Sequence, residues 1–253
     1  MDKIRFLEDH ASKCFVGLET IIYDGWELRF TQGFTGRANS VQIKKDSTID
    51  LPQKIEYCEK AYAKHDLPCI FKLTDADSDL INDLKERGYE VKKPTDVMIL
   101  PLNDIDSSLM PDNAEFSSTP EGWFDSYFEF EEMNDPKSRE LTKKIHAKVS
   151  VDQIYIKLYY EGKTAAVASL GIADGYSLLH NVVVSPALRG KGLGQKLCEA
   201  AIVRSKEIGA SHIYLQVMQN NPIARNLYDK LGFEKLYRYY YIVSDNRLVT
   251  TPL

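Results

Sequence analysis

The sequence contains no apolar run that approaches the roughly 18 residues needed to cross a membrane as a helix. Residues 1–5 are followed by no apolar segment of the kind that a signal peptide contains. Together these absences predict a cytoplasmic protein with no membrane partner.

Cysteine and histidine are few and scattered. Cys14, Cys58, Cys69 and Cys198 form no C-x-x-C pair, and the five histidines form no H-x-x-x-H or Cys/His cluster. We therefore expect reduced thiols packed in hydrophobic cores. We expect no metal site, because the usual ligand spacings are missing.

An excess of positive charge is also absent. The 32 Lys and Arg residues against 37 Asp and Glu give a net charge of −5, whereas a protein that binds nucleic acid usually carries a basic stripe. A nucleic-acid partner is therefore not expected. The 253 residues, 43% hydrophobic and 27% charged, are enough for one large or two ordinary globular domains.

Predicted strands and helices alternate along the chain. In the first part, apolar periodicity predicts helices over 2–15, 51–64 and 78–87, and strands over 19–30 (turning at Asp24-Gly25), 69–74 and 96–100, with a further turn and strand within 33–43. In the second part, it predicts helices within 121–148, 193–208 and 222–231, and strands over 154–160, 165–172, 177–184, 212–217 and 237–243. The polar, turn-rich segment 103–113 predicts a linker between domains at 1–102 and 114–253.

The two parts share a faint internal repeat. Gly88 and Tyr89 end one predicted strand–helix unit, and Gly232 and Phe233 end another 144 positions later. This spacing predicts a duplicated fold. Two unrelated units with the same ending are the alternative, because fold-level similarity is weak evidence.

A glycine-rich turn follows the predicted strand 177–184. Arg189 is followed by Gly190, Gly192 and Gly194, and a predicted helix begins there. The first N–H groups of a helix lack partners within the helix and carry partial positive charge, so the turn predicts a phosphate site. Its spacing fits neither G-x-x-x-x-G-K-[ST] nor G-x-G-x-x-G, which argues against ATP and dinucleotide loops.

The turn, with Arg189-x-x-Gly192-x-Gly194, resembles motif A of the GNAT acyltransferase superfamily. The run from Asn221 to Phe233 is similar to its motif B, N-x-x-A-x-x-L-Y-x-x-x-G-F, and the similarity covers roughly residues 154–243. The block 33–41 also resembles that of a two-domain GNAT group with a degenerate N-terminal half. The resemblance implies an α/β fold class of two tandem domains, each with a mixed, mostly antiparallel sheet flanked by helices.

The resemblance also implies acetyl-CoA as the co-substrate, with its pyrophosphate on the turn and its pantetheine arm along the preceding strand. The expected binding residues are Val182, Val183, Val184, Arg189, Gly190, Lys191, Gly192, Leu193, Gly194 and Asn221. Structural roles are the alternatives: core packing for the valines, solvated charges for Arg189 and Lys191, and a helix cap for Asn221.

Acyl transfer to an amine poses two proton problems, because the amine must lose a proton and the thiolate must gain one. The resemblance implies Tyr228 as the acid, with a core aromatic role as the alternative, and a strand N–H near Val182 as the oxyanion donor. No general base is evident. His180 is the first candidate, since an imidazole titrates near neutral pH; Asp174 and Glu132 acting through water follow.

We therefore expect an N-acetyltransferase. Its C-terminal half would transfer acetyl from acetyl-CoA to a primary amine of a small molecule or peptide, by direct attack in a ternary complex, as a monomer or homodimer. A non-catalytic acyl-CoA-binding sensor and a nucleotide-binding protein are the alternatives.

Overall fold

The computed structural model describes residues 3–45 and 48–244. The helices in these ranges are α1 (Lys3–Cys14), α2 (Leu51–Ala63), α3 (Ser78–Glu86), α4 (Trp123–Phe130), α5 (Pro136–Lys148), α6 (Leu193–Glu207) and α7 (Pro222–Lys230). The strands are β1 (Glu19–Tyr23), β2 (Trp26–Phe30), β3 (Val41–Ile43), β4 (Ile70–Thr74), β5 (Glu90–Pro101), β6 (Ala114–Ser117), β7 (Asp152–Tyr160), β8 (Lys163–Ala173), β9 (Tyr176–Val184), β10 (His212–Met218) and β11 (Glu234–Val243).

The described residues group into two compact units. Unit 1 takes its residues from 1–96, 144–149 and 237–253, and unit 2 takes them from 97–143 and 150–236. The last of the described strands, β11, therefore contributes residues 237–243 to unit 1. The division into domains at residues 103–113 stays a prediction.

Unit 1 contains a mixed sheet in the order β1-β2-β3-β4-β11. Its neighbouring strands are antiparallel except β3 and β4, which are parallel and are connected through α2. One hydrophobic core lies between α2 and this sheet, and it includes Leu28, Val41, Ile55, Phe71 and Leu73. Burial of this apolar surface is the main force that stabilises the unit.

The strands of unit 2, with β5 represented by residues 97–101, lie in the order β5-β10-β9-β8-β7-β6. Strands β6 to β9 pair antiparallel, and β9 and β10 are parallel and are connected through α6. Its larger core includes Leu158, Ala166, Leu170, Leu197 and Ile213. The predicted fold class, mixed and mostly antiparallel sheets flanked by helices, is confirmed in both units.

The order of elements is the same in the two halves of the chain. Three strands, a helix, a strand, a helix and a strand follow one another from β1 to β5, and again from β7 to β11. In each half the helix after the third strand joins a parallel pair. This correspondence extends the faint sequence repeat, and an origin by duplication stays a prediction.

Several elements differ from the sequence prediction. Strand β5 begins at Glu90, six residues before the predicted strand, and β6 was not predicted. The predicted helices within 121–148 are α4 and α5, which are separate because Glu132 has a positive φ of 52° and Pro136 begins the second helix. Asp2 and residues 245–253 lie outside the described residues. The four cysteines are buried with free thiols, as predicted.

Candidate active site

Strand β9 separates from β10 before either strand ends. Their paired residues run from Tyr176–His212 to Leu179–Leu215, whereas β9 continues to Val184 and β10 to Met218. On its other side β9 stays paired with β8, through Val183 with Val167 and Val184 with Ala166. Among the described residues, Val183 and Val184 thus pair on one side only.

A bulge lies in the same stretch of β9. Val183 pairs with Val167 and His180 with Ser169, so that Asn181 and Val182 together face the single residue Ala168. Asn181 has a φ of 55°, in the left-handed region. Bulges of this kind bend a strand and re-aim its backbone groups, which explains why β9 leaves the direction of β10 here.

The side chains of the three predicted valines divide between two layers. Val183 is buried with Trp123 and Val167 in the cluster that α4 forms on one face of the sheet. Val182 and Val184 are half-buried and pack against the core that also holds Leu193 and Leu197 of α6. Their side chains therefore pack against the two cores, which is the structural alternative for these residues.

The glycine-rich turn carries β9 into α6. Gly190 and Gly192 have φ values of 80° and 75°, and a Cβ atom built on either would meet no other atom within 4 Å. Glycine is needed here because of the backbone conformation. Gly194 lies inside the first turn of α6, where an added Cβ would contact Leu227 and Val184 at 3.6 Å.

The start of α6 presents unpaired donors. Within the described residues, the backbone N–H groups of Leu193, Gly194 and Gln195 donate to no protein acceptor; the first intrahelical bond runs from Lys196 N to Gly192 O at 3.2 Å. Gly192 is the N-cap and supplies no side chain. These donors and the positive end of the helix dipole favour an anion.

The charged residues of the turn are exposed. Arg189 makes no ion pair with any described residue, whereas the ammonium of Lys191 lies 4.8 Å from the centre of the Tyr160 ring. Leu193 is buried, so its side chain belongs to the core. Both cations are accessible to a ligand on the turn.

Asn221 caps α7. Its Oδ1 accepts a hydrogen bond from the Ala224 N–H at 3.1 Å, and Pro222 occupies the first helical position. Asn221 thus has the helix-cap role that was the structural alternative to a co-substrate contact. Asn221 is exposed, and its amide NH₂ group is a donor that the cap does not use.

Tyr228 lies on the buried side of α7, 7% exposed, with its ring edge-on to Phe233 at 5.9 Å. Burial raises the pKa of Tyr228 above its usual value, and the neighbouring Cys198 thiol adds to the rise. Burial also raises the pKa of Cys198 to about 12. The phenol therefore keeps its proton at neutral pH.

His180 is buried beside the bulge in a small polar group. Its Nδ1 lies 3.2 Å from Asn181 Nδ2, and that same amide nitrogen donates to Ser169 Oγ at 3.0 Å. Ser169 is fully buried, and its hydroxyl donates to the His180 carbonyl oxygen at 3.4 Å. Sequence reasoning missed Ser169 and Asn181, since only the register between β8 and β9 brings them to His180.

The two further candidates for a base lie apart from this group. Asp174 occupies the turn between β8 and β9, whereas the glycine-rich turn follows the other end of β9. Glu132 lines a cavity of about 420 Å³ between α4 and α5, together with Asp125, Glu129 and Phe128.

Two features are absent from residues 3–45 and 48–244. No group of three or more His, Cys, Asp and Glu side chains in these ranges has the arrangement of a metal site. No helix in them is both long and apolar enough to cross a bilayer.

Comparison with known proteins identifies the family. The family described as "Probable histone acetyltransferase Rv0428c C-terminal" matches residues 2–242. The chain belongs to this family. It is a member of the GNAT superfamily, and it is an acyltransferase with N-acetyltransferase activity of the GNAT type.

Two curated relatives agree with this assignment. The uncharacterized N-acetyltransferase YobR of Bacillus subtilis is 29% identical over 250 residues, covering 95% of this chain and 98% of its own. The [ribosomal protein bS18]-alanine N-acetyltransferase of Escherichia coli is 33% identical over 93 residues, covering 36% of this chain and 63% of its own.

A solved structure shares the fold. The GCN5-related N-acetyltransferase from Kribbella flavida has a TM-score of 0.69 at 14% identity, covering 96% of both chains. At this identity the likeness concerns the GNAT fold alone.

Proposed function

We propose that this GNAT protein acetylates a primary amine, on a small molecule or a peptide, with acetyl-CoA as the donor. The observation that carries the proposal is the course of residues 182–194. Within this one segment, a strand with an unpaired edge runs directly into a helix start with three unpaired N–H groups. The pantetheine arm of acetyl-CoA matches the unpaired strand edge, and its pyrophosphate matches the unpaired N–H groups.

The residues of the segment fit that co-substrate. The N–H groups of Leu193, Gly194 and Gln195 would hold the pyrophosphate, with Arg189 and Lys191 as exposed cations beside it. The open space at Gly190 and Gly192 supports a close approach. The backbone of Val182, Val183 and Val184 would hold the pantetheine arm, and Asn221 would contribute from the start of α7. Acetyl-CoA supplies an activated thioester.

Tyr228 is proposed as the general acid that returns a proton to the sulfur. A phenol whose pKa is raised by burial is protonated at neutral pH, which a donor requires. Its position on α7 also supports this role, because α7, the start of α6 and the end of β9 meet at Gly194.

The amine side of the reaction is assigned to the bulge of β9. We propose that a backbone N–H near Val182 stabilises the negative charge that develops on the acetyl oxygen. His180, which lies beside the bulge, is the catalytic side chain proposed for the amine side of the reaction. The amine attacks the thioester directly in a ternary complex, so no acetyl group is attached to the enzyme at any stage.

We propose that the N-terminal half is a degenerate GNAT copy without this chemistry. It repeats the order of elements, but Gln42, Ile43, Lys44 and Lys45 stand where the C-terminal half has its glycine-rich turn. The expected consequence is one acetyl-CoA bound per chain, which isothermal titration calorimetry measures.

The test is a free-thiol release assay with acetyl-CoA over a panel of amines, on the parent protein and on Tyr228→Phe. We expect release with at least one amine. In Tyr228→Phe we expect kcat to fall by about tenfold or more, with the Kd for acetyl-CoA changed less than about twofold. Equal kcat in both proteins across a broad pH range would remove Tyr228 from the mechanism.

The alternatives give different results in the same experiments. Tight binding of acetyl-CoA without thiol release for any amine indicates an acyl-CoA sensor. Binding of ATP or NAD that CoA does not displace indicates a nucleotide-binding protein. Intact-mass measurement after incubation with acetyl-CoA alone tests direct attack, because a covalent acetyl-enzyme would add the mass of one acetyl group.

A further inference from the structure

The polar group beside the bulge of β9 fixes the position of a proton on His180. Three atoms outside the imidazole ring take part: the His180 carbonyl oxygen, Ser169 Oγ and Asn181 Nδ2. In this series of hydrogen bonds, the donor and acceptor of each bond determine the donor and acceptor of the next.

The carbonyl oxygen of His180 can only accept a hydrogen bond. Ser169 Oγ lies 3.4 Å from it and therefore donates its one hydrogen there. The hydroxyl then has only acceptor capacity left for the side chain of Asn181. The Asn181 atom that lies 3.0 Å from Ser169 Oγ must be a donor, so it is the amide nitrogen and not the amide oxygen.

The amide nitrogen of Asn181 carries two hydrogens. One is directed to Ser169 Oγ, and the other faces His180 Nδ1 at a nitrogen–nitrogen distance of 3.2 Å. A donor opposite Nδ1 requires an unprotonated ring nitrogen at that position. The neutral imidazole then carries its proton on Nε2.

The bulge makes this arrangement possible. Adjacent residues of a regular strand point to opposite faces of the sheet, so the side chain of a residue does not normally reach its neighbour's ring. The left-handed φ of 55° at Asn181 changes that direction. Ser169 is fully buried and His180 is 7% exposed, so the group is protected from competing water.

We propose that Asn181 and Ser169 are positioning residues that hold neutral His180 in the Nε2–H form, so that His180 does not act as the base. In this form neither ring nitrogen offers a free lone pair, because Nδ1 accepts from Asn181 and Nε2 carries the proton. The amine therefore loses its proton to another group or to water. This consequence for catalysis rests on the proposed function, whereas the form of the ring does not.

The experiment measures the ring directly. Long-range ¹H–¹⁵N spectra of the full chain, labelled with ¹⁵N-histidine, distinguish the protonated from the unprotonated ring nitrogen. The signals of His180 are assigned by their loss in His180→Gln. At every pH at which the ring is neutral, we expect only the Nε2–H form in the parent protein. A predominant Nδ1–H form would overturn the proposal.

Three variants test the two positioning residues. Asn181→Asp is expected to reverse the form to Nδ1–H, because a carboxylate only accepts. Asn181→Gly retains the left-handed backbone without the amide, and Ser169→Ala removes the acceptor that orients the amide; we expect a mixture of the two forms in both. Asn134→Asp makes the same chemical change at an exposed residue and is expected to leave His180 as in the parent. A pure Nε2–H form in Asn181→Gly would contradict the role of Asn181.

Kinetics separate this proposal from the proposed function. In Asn181→Asp we expect kcat to fall by about tenfold or more while the KM for acetyl-CoA stays within about twofold. An unchanged kcat in a variant with the reversed ring form would refute the catalytic part. If no amine is acetylated by the parent protein, the proposed function fails while the spectra still decide the form of the ring.

Discussion

Trp123 Nε1 donates a hydrogen bond to the carbonyl oxygen of Ala168 at 2.9 Å, and Ala168 is the residue of β8 that faces the bulge in β9. Trp123 is fully buried, with its ring stacked on Tyr127 at 4.9 Å and edge-on to Tyr155 at 5.2 Å. Helix α4 thus supplies the donor for a backbone acceptor at the position where the regular strand pairing is interrupted.

Replacing Trp123 by Phe should therefore destabilise the protein. The variant keeps an aromatic ring but leaves a buried carbonyl without its donor, which costs about 1–3 kcal/mol. Urea unfolding followed by circular dichroism measures the change. Tyr155→Phe keeps the ring and removes the part-buried hydrogen bond from its hydroxyl to Gln153 at 3.0 Å; it is the control and should lose less. Equal losses in the two variants would argue against a special role for the indole.

Gly192→Ala should weaken both the fold and acetyl-CoA binding. Its φ of 75° is unfavourable for a residue with a Cβ, so we expect a loss of about 1–2 kcal/mol in the free energy of unfolding. The matched control is Gly194→Ala, where the Cβ makes ordinary contacts at 3.6 Å and alanine is the better helix former. Calorimetry with acetyl-CoA should give a larger rise in Kd for Gly192→Ala. The reverse order would contradict the assigned role of the turn.

Two substitutions of Asn221 distinguish its role as a helix cap from its proposed contact with the co-substrate. Asn221→Ala loses the bond to the Ala224 N–H and should cost about 0.5–2 kcal/mol. Asn221→Asp keeps that bond, and a negative charge at a helix N-terminus is favourable, so its stability should match the parent. If the amide also contacts acetyl-CoA phosphates, the new carboxylate should raise the Kd. An unchanged Kd in Asn221→Asp would leave Asn221 as a cap only.

The raised pKa of Tyr228 predicts a pH dependence of stability. The folded-state pKa lies above the unfolded value of about 10. The stabilisation from the buried neutral phenol is therefore complete below about pH 10 and is lost as the pH rises further, by up to about 1.4 kcal/mol per pH unit. Tyr228→Phe lacks this dependence. We would measure the free energy of unfolding of both proteins between pH 8 and pH 10.5. Plotted against pH, it should fall more steeply in the parent than in Tyr228→Phe only near the upper end of this range. Equal slopes there would refute the raised pKa.

The predictable parts of this protein are those with local signals. Gly190 and Gly192 predicted a glycine-rich turn, Asn221 and Pro222 indicated a capped helix, and the periodicity of residues 193–208 and 222–231 predicted α6 and α7. In each case the signal and the structure involve residues within a few positions of one another, so one sequence was sufficient.

Features that depend on distant residues were not predicted. Strand β6 is short and lies at the edge of its sheet, so its apolar pattern is weak. The additional residues of β5 are largely exposed at its start and gave no apolar signal. The bulge at Asn181 arises from the register between β8 and β9, and the sequence of β9 alone does not specify that register.

The sequence by itself determined the kinds and order of most elements, the glycine-rich turn and the membership of the GNAT superfamily, because these depend on short-range preferences and on motif spacing. Only the tertiary structure decided where β9 leaves β10 and that Trp123 bonds the carbonyl of Ala168. It alone also decided which atoms of Ser169 and Asn181 meet the ring of His180. Strand separation, register and burial result from pairing between residues far apart in the chain, and a positive φ at Asn181 becomes meaningful only within that pairing.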